Sequence, residues 1–133
     1  MIPCYLGTLV LDDDSDHHTV FLHEQPSVGE RFFPITIGRP EALAIDRALR
    51  EVPFPRPLTH DLLTVLLAAL HATPIEVRIV DVQDGTFFAL LVLNRHDGSR
   101  IEIDCRPSDA LALLVRHPGL PLLVAPQVLD EMA

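Results

Sequence analysis

The sequence predicts an α+β fold: a mostly antiparallel mixed sheet with helices packed on it, in the order βββααβββαβ(α). Three observations predict it. Strand-like runs come in two blocks of three, joined by turn signals instead of alternating with helices. The apolar spacing then changes from a strand period to a helix period near residues 40, 59 and 107, each time close to a proline. Finally, 133 residues, 48% of them hydrophobic, suit one domain over 1–133 that buries about two-thirds of its unfolded surface in a single core.

Tyr5 to Leu11 and Thr19 to His23 read as strands flanking a solvated turn, Asp12-Asp13-Asp14-Ser15-Asp16. Arg31 to Ile37 is β-branched and aromatic, a third strand closed by Gly38. From Pro40, Ala42, Ile45 and Leu49 fall at helical spacing, with Arg47 and Arg50 expected outward. Pro53, Pro55 and Pro57 then forbid helix and make a stiff connector. Thr59 is the expected N-cap of a helix running through Leu70, with Asp61 in its first turn. Leu62, Leu63, Leu66, Leu67 and Leu70 make this helix apolar around most of its girth, so it is expected at the centre of the fold. Ile75 to Val82 and Thr86 to Leu93 are strands joined at Asp84-Gly85, a tight-hairpin signal, and Asp97-Gly98 leads to a strand at Arg100 to Asp104. Pro107 opens a helix over Ser108 to Arg116, followed by a short strand, Leu120 to Val124, and a terminal helical turn from Pro126.

The 19 acidic residues outnumber 10 basic ones, giving a formal charge of −9 with seven histidines neutral. Every basic residue is an arginine, which excludes a side-chain Schiff base, a Walker-type phosphate lysine and a lysine general base. A pI near 5.0 argues against sequence-blind binding of duplex nucleic acid through a basic face, while leaving room for a local cationic pocket. Cys4 and Cys105 cannot make a disulfide framework or a zinc knuckle. The apolar start lacks a basic flank and runs into the aspartate turn, unlike a signal peptide, and no apolar run is long enough for a membrane span. The expected compartment is the cytoplasm, with no membrane partner.

One local pattern recurs: Arg39-Pro40, Arg56-Pro57 and Arg106-Pro107 each stand at or just before an expected helix start. Proline suits the first helical position because its missing N–H would be unpaired there. Arginine does not, because the positive end of the helix dipole repels it, so each must gain something else. Two gains are open. One is an anion site, in which free N–H groups, the dipole and a guanidinium fork hold a phosphate or carboxylate. The other is an intramolecular pair with Asp61, Asp104 or Asp109. Arg39 is expected on the surface.

The segments Arg56-Pro57-Leu58-Thr59-His60-Asp61 and Ile103-Asp104-Cys105-Arg106-Pro107-Ser108-Asp109-Ala110 carry a resemblance. With Phe33-Pro34-Ile35-Thr36-Ile37-Gly38, Glu41-Ala42 and Asp84-Gly85-Thr86-Phe87-Phe88-Ala89, the chain resembles the bifunctional nuclease domain family from about residue 5 to residue 130. The order and spacing of the motifs, more than any one of them, make the resemblance specific. It implies an α+β domain that self-associates, a dimer being the first expectation, and nuclease activity on both RNA and DNA. The chain departs from the family pattern at Phe88, where a tyrosine is common, and at Cys105, where alanine or serine is usual.

Read as chemistry, the motifs suit a phosphodiester site. Glu41, Asp61, Asp104 and Asp109 offer the hard oxygen ligands that Mg²⁺ or Mn²⁺ prefer, with Glu41, Asp61 and Asp104 the first choices for the metal. His60 is a candidate general base or imidazole ligand, with Asp109 in the catalytic set. Arg56 and Arg106 are placed to hold the scissile phosphate, and Thr59 and Ser108 to bind substrate at the two helix starts. The alternative is a non-catalytic anion-binding or protein-interaction module in which the same residues lock the fold.

Other constellations are weaker. Asp12, Asp14 and Asp16 match an EF-hand start, but His17 replaces its glycine and His23 its terminal glutamate. His17-His18 reads as part of an exposed turn, and His71, His96 and His117 are expected to face solvent. Ser108, His60 and Asp61 are the residue types of a triad without a nucleophile elbow.

Overall fold

In the computed structural model, which describes residues 1–133, the order of elements is the expected one. Strands β1 (Ile2–Val10), β2 (His17–Glu24) and β3 (Phe32–Gly38) lead into helices α1 (Arg39–Leu49) and α2 (Thr59–Ala69). Strands β4 (Thr73–Gln83), β5 (Thr86–Asn94) and β6 (Arg100–Cys105) follow, then α3 (Pro107–Leu114), β7 (Leu122–Val124) and α4 (Pro126–Met132). One seven-stranded sheet holds them all, in the spatial order β3-β2-β1-β7-β4-β5-β6. Every neighbouring pair is antiparallel except β4 and β7, which makes the sheet mixed.

The β4–β5 hairpin turns at Asp84-Gly85, where φ is +50° and +80°. Two successive left-handed residues match the right-handed twist of the flanking strands, and glycine takes the second at no steric cost. Alternation then sends one set of side chains inward: Val20 and Leu22 on β2, Phe33, Ile35 and Ile37 on β3, Val77 and Ile79 on β4, Ala89 and Leu91 on β5. These join one cluster of 24 buried residues with Ala42 and Ile45 of α1, Leu111 and Leu113 of α3, and Val128 and Leu129 of α4.

The sheet is strongly curled. Four strands separate β3 from β5, yet Phe33 and Phe87 stack with ring centroids 5.7 Å apart. Phe33 is completely buried and closes the sheet around the helices. Phe33→Ala is therefore expected to cost about 3–5 kcal/mol, as other buried phenylalanine truncations do, read as a lower midpoint in denaturant unfolding. A loss below about 1 kcal/mol would mean that the contact does not close the core.

Helix α2 is not the central helix. Leu62, Leu63, Val65, Leu66 and Leu70 are exposed by 38–71%, and His60 is the helix's one buried residue. The helix turns His60, Asp61, Thr64 and Leu67 toward the body and its leucines away. The central position belongs to α3, in which Ala110, Leu111, Ala112 and Leu113 are all buried. Girth-wide apolarity marks a helix that must be covered and does not say by what. His18 is a second correction: it lies 3% exposed on the inner face of β2, not in an exposed turn, and its Nδ1 accepts the Asp12 N–H at 3.0 Å.

Candidate functional site

The first turns of α1, α2 and α3 face one another across an open cleft of about 500 Å³. Each starts without a side-chain cap. Gly38 precedes α1, Leu58 precedes α2 and Arg106 precedes α3, so Thr59 and Ser108 are helical residues and not caps. Asp61 closes the end of α2 instead, its Oδ2 accepting the Leu58 N–H at 3.1 Å. A Cβ at Gly38 would lie 2.9 Å from Glu41 Oε2, so a larger residue there would push the Glu41 carboxylate aside.

Four arginines line the cleft, Arg39, Arg47, Arg106 and Arg116, against two carboxylates, Glu41 and Asp109. A chain of net charge −9 thus gathers four of its ten cations at one place. Arg106 is 67% exposed and bridges the two carboxylates, Nη2 to Glu41 Oε1 at 3.0 Å and Nε to Asp109 Oδ2 at 2.9 Å. The other oxygen of Asp109, Oδ1, lies 2.9 Å from His60 Nε2. His60 is thereby held in the tautomer with its proton on Nε2, and Nδ1 is left without a protein partner. Arg116, almost buried, donates from Nε to Asp61 Oδ1 at 2.8 Å and from Nη1 to the Ala112 carbonyl at 2.8 Å. Arg39 and Arg47 have no carboxylate within salt-bridge distance; Arg47 lies over the Phe54 ring, 5.2 Å from its centroid.

The expected residues divide accordingly. His60, Arg106, Asp109, Glu41 and Thr59 come together in the cleft. Ser108 lines a neighbouring pocket of about 300 Å³, which shares Glu41 and Arg106 with the cleft. Arg56 is exposed on the connector and does not line the cleft; Arg39, Arg47 and Arg116 supply the cations instead. Asp104 is exposed on β6, and alternation with Ile103 and Cys105, which face α2, points it to the opposite side of the sheet. Of the four carboxylates expected to hold a metal, Glu41 and Asp109 share the cleft with Arg106 between them, while Asp61 and Asp104 lie outside it. Glu41 is engaged by Arg106, Asp61 by Arg116, and no three acidic, histidine or cysteine side chains gather as ligands. This donor set does not fit Mg²⁺ or Mn²⁺.

The electrostatics follow from the contacts. The Arg116 hydrogen bond holds the Asp61 carboxyl below the usual carboxylate range. Burial opposes ionisation of Asp109, but hydrogen bonds from Arg106 and His60 outweigh it and hold that carboxyl low as well. Burial, with Asp109 and Asp104 nearby, pushes the Cys105 thiol up to about 11, so it is no nucleophile at neutral pH. A carboxyl whose folded value is depressed stabilises the fold above its unfolded value and loses that contribution as pH falls through the folded one. Asp61→Asn and Asp109→Asn are each expected to flatten the fall in melting temperature below about pH 4. An acid limb unchanged in both variants would show that neither pair stabilises the fold.

The model of the bifunctional nuclease domain matches residues 20–133, beginning within β2. Two relatives from Mycobacterium tuberculosis, the uncharacterized proteins MT1877 of strain CDC 1551 / Oshkosh and Rv1829 of strain ATCC 25618 / H37Rv, are each 48% identical over 103 residues. Those 103 residues are 77% of this chain and 60% of each relative, so the match spans less than two-thirds of the relatives' length. With a family match that takes in the cleft and all three helix starts around it, the chain belongs to the bifunctional nuclease domain family.

Proposed function

We propose that the cleft binds a phosphodiester of a nucleic acid and hydrolyses it, making the protein a nuclease acting on RNA and DNA. The observation that carries this reading is the pairing of two uncommitted arginines with a fixed base. Arg39 and Arg47 are without carboxylate partners, and His60 is oriented by Asp109 in the same cleft. Phosphate oxygens are held by Arg39, Arg47 and the unused N–H groups of Arg106, at helix starts whose dipoles favour an anion. Water attacks phosphorus while His60 Nδ1 takes its proton. A P–O bond forms, the opposite P–O bond breaks, and the departing sugar oxygen gains a proton from solvent. Asp109 keeps the ring in place and stabilises the imidazolium. No step is routed through a metal: Arg106 engages Glu41 and Asp109, and Arg116 engages Asp61.

A second reading has its own support. Glu41, Asp61 and Asp109 are each paired with an arginine, which suits an anion-binding module without turnover. An assay on labelled single- and double-stranded DNA and RNA, with Mg²⁺, Mn²⁺ or EDTA, separates the two. The expected result is cleavage that persists in EDTA and disappears in folded Arg106→Ala protein. Binding of the same oligonucleotides without cleavage would establish the module instead. Cleavage only with a divalent ion would overturn the metal-free proton transfer, and cleavage unchanged in the variant would place the site elsewhere.

A further inference from the structure

Strand β3 is an edge of the sheet, so alternate main-chain N–H and C=O groups along it point away from β2 with no strand to meet them. The curl that brings Phe33 onto Phe87 sets this free edge opposite the start of β5 without pairing the two strands. Between them opens the pocket of about 300 Å³, lined by residues 35–38 of β3, by Thr86 and Phe87 of the hairpin and by Ser108 of α3. It adjoins the arginine cleft, with Glu41 and Arg106 in the wall of both. Ser108 is the unexplained residue there. It is 8% exposed and lines the pocket, yet its hydroxyl makes no hydrogen bond to the protein. A buried hydroxyl is costly unless something satisfies it, and what satisfies this one must come through the pocket.

We infer that this pocket seats the base of the nucleotide whose phosphate lies in the arginine cleft, an inference that rests on the phosphodiester reading of that cleft. Three features select a base. A nucleobase carries donors and acceptors side by side along one edge, and the free edge of β3 offers N–H and C=O groups in a matching alternation. Its flat faces need an apolar or aromatic wall, which the half-buried Phe87 supplies. A second phosphate fits worse, because the pocket's one cation, Arg106, is already bound to Glu41 and Asp109, and Glu41 itself stands in the wall. The hydroxyls of Ser108, Thr36 and Thr86 can each donate or accept, so they meet any of the bases and select none. A seated base holds the phosphate attached to it in place against His60, on the far side of Arg106.

Mononucleotides test the pocket without any turnover. The full chain is titrated calorimetrically with inorganic phosphate, ribose 5-phosphate, and adenosine 5′- and 3′-monophosphate. At least one of the two mononucleotides is expected to bind about tenfold or more tightly than ribose 5-phosphate, as stacking of one base gives. Ser108→Ala is expected to lower that affinity roughly 2- to 10-fold, the effect of one hydrogen bond. Ser108→Leu, whose side chain grows into the pocket, is expected to erase the advantage of the base and leave the affinity for inorganic phosphate unchanged. Amide chemical shifts of the unaltered protein give a second reading that needs no variant to fold: residues 35–38 and 85–87 should move with the mononucleotide and not with inorganic phosphate. Equal affinity for the mononucleotides and ribose 5-phosphate, or amides in these segments indifferent to the base, would overturn the inference and leave the phosphate cleft standing. A base advantage undiminished in folded Ser108→Leu protein would place the base elsewhere. Failure of all four compounds to bind would remove the cleft reading together with the pocket.

Discussion

Replacing His60 by glutamine is expected to lower the rate of phosphodiester cleavage roughly 10²- to 10⁴-fold, the usual contribution of a positioned general base, with the fold retained. The argument rests on one hydrogen bond. Asp109 Oδ1 and His60 Nε2 are 2.9 Å apart, so the proton sits on Nε2 and the lone pair on Nδ1. Glutamine can keep a hydrogen bond to Asp109 but brings no group that takes a proton near neutral pH. Asp109→Asn is expected to damage the same step from the other side, because it removes the negative charge that stabilises the imidazolium. The two losses should not multiply. A histidine and the carboxylate that orients it act as a unit, so the double variant should be no slower than the slower single variant. Single-turnover rates on a labelled oligonucleotide, with circular dichroism to confirm folding, decide this. Full activity in either single variant would remove the pair from the reaction.

That pair shows how far a sequence can be read. His60 was recognisable because it stands in the first turn of a well-marked helix beside an Arg-Pro start, and Asp109 because acids favour the first turn of α3. Their meeting across 49 residues was not, since nothing local says that α2 and α3 pack side by side with their starts aligned. The element order was legible for the same local reasons: Asp84-Gly85, the prolines at residues 40, 107 and 126, and the switches of apolar period.

The errors also have physical causes. An arginine beside a proline signals a helix start and does not reveal which way the guanidinium turns. Arg56 sits on a connector that leaves it in solvent, whereas Arg39, at an equally plain Arg-Pro start, lines the cleft. Arg47 follows helical periodicity outward, and it lines the cleft only because the start of α2, with Leu58 and Thr59, folds back beside α1. Arg116 comes just past the end of α3, where the dipole welcomes a cation, so its reach back to Asp61 leaves no local mark. Asp104 misled for a simpler reason. A strand's alternation is certain from sequence, but which face meets the helices is a tertiary fact.

Arg106→Ala is expected to remove most of the cleavage activity, roughly 10²- to 10³-fold as for loss of one preorganised donor to a developing charge, while lowering stability only slightly. The small stability cost follows from exposure: a guanidinium 67% open to solvent makes surface pairs, which contribute about 0–1 kcal/mol. Glu41 and Asp109 lose a shared cation in the variant, but both line the open cleft, where water can replace it. The activity cost is larger because Arg106 does two things at once. It fixes the Asp109 oxygen opposite the one that orients His60, and it presents its remaining N–H groups to a bound phosphate. Arg106→Lys separates these roles. Lysine restores a positive charge in the cleft without a planar fork, so it cannot hold Glu41 and Asp109 together in the same geometry. Substrate binding should recover in the lysine variant while the rate of the chemical step stays low, a split between KM and kcat that a purely electrostatic role would not produce. If Arg106→Ala instead loses several kcal/mol of stability, the guanidinium is a lock of the fold; cleavage by whatever protein remains folded would then belong to other residues.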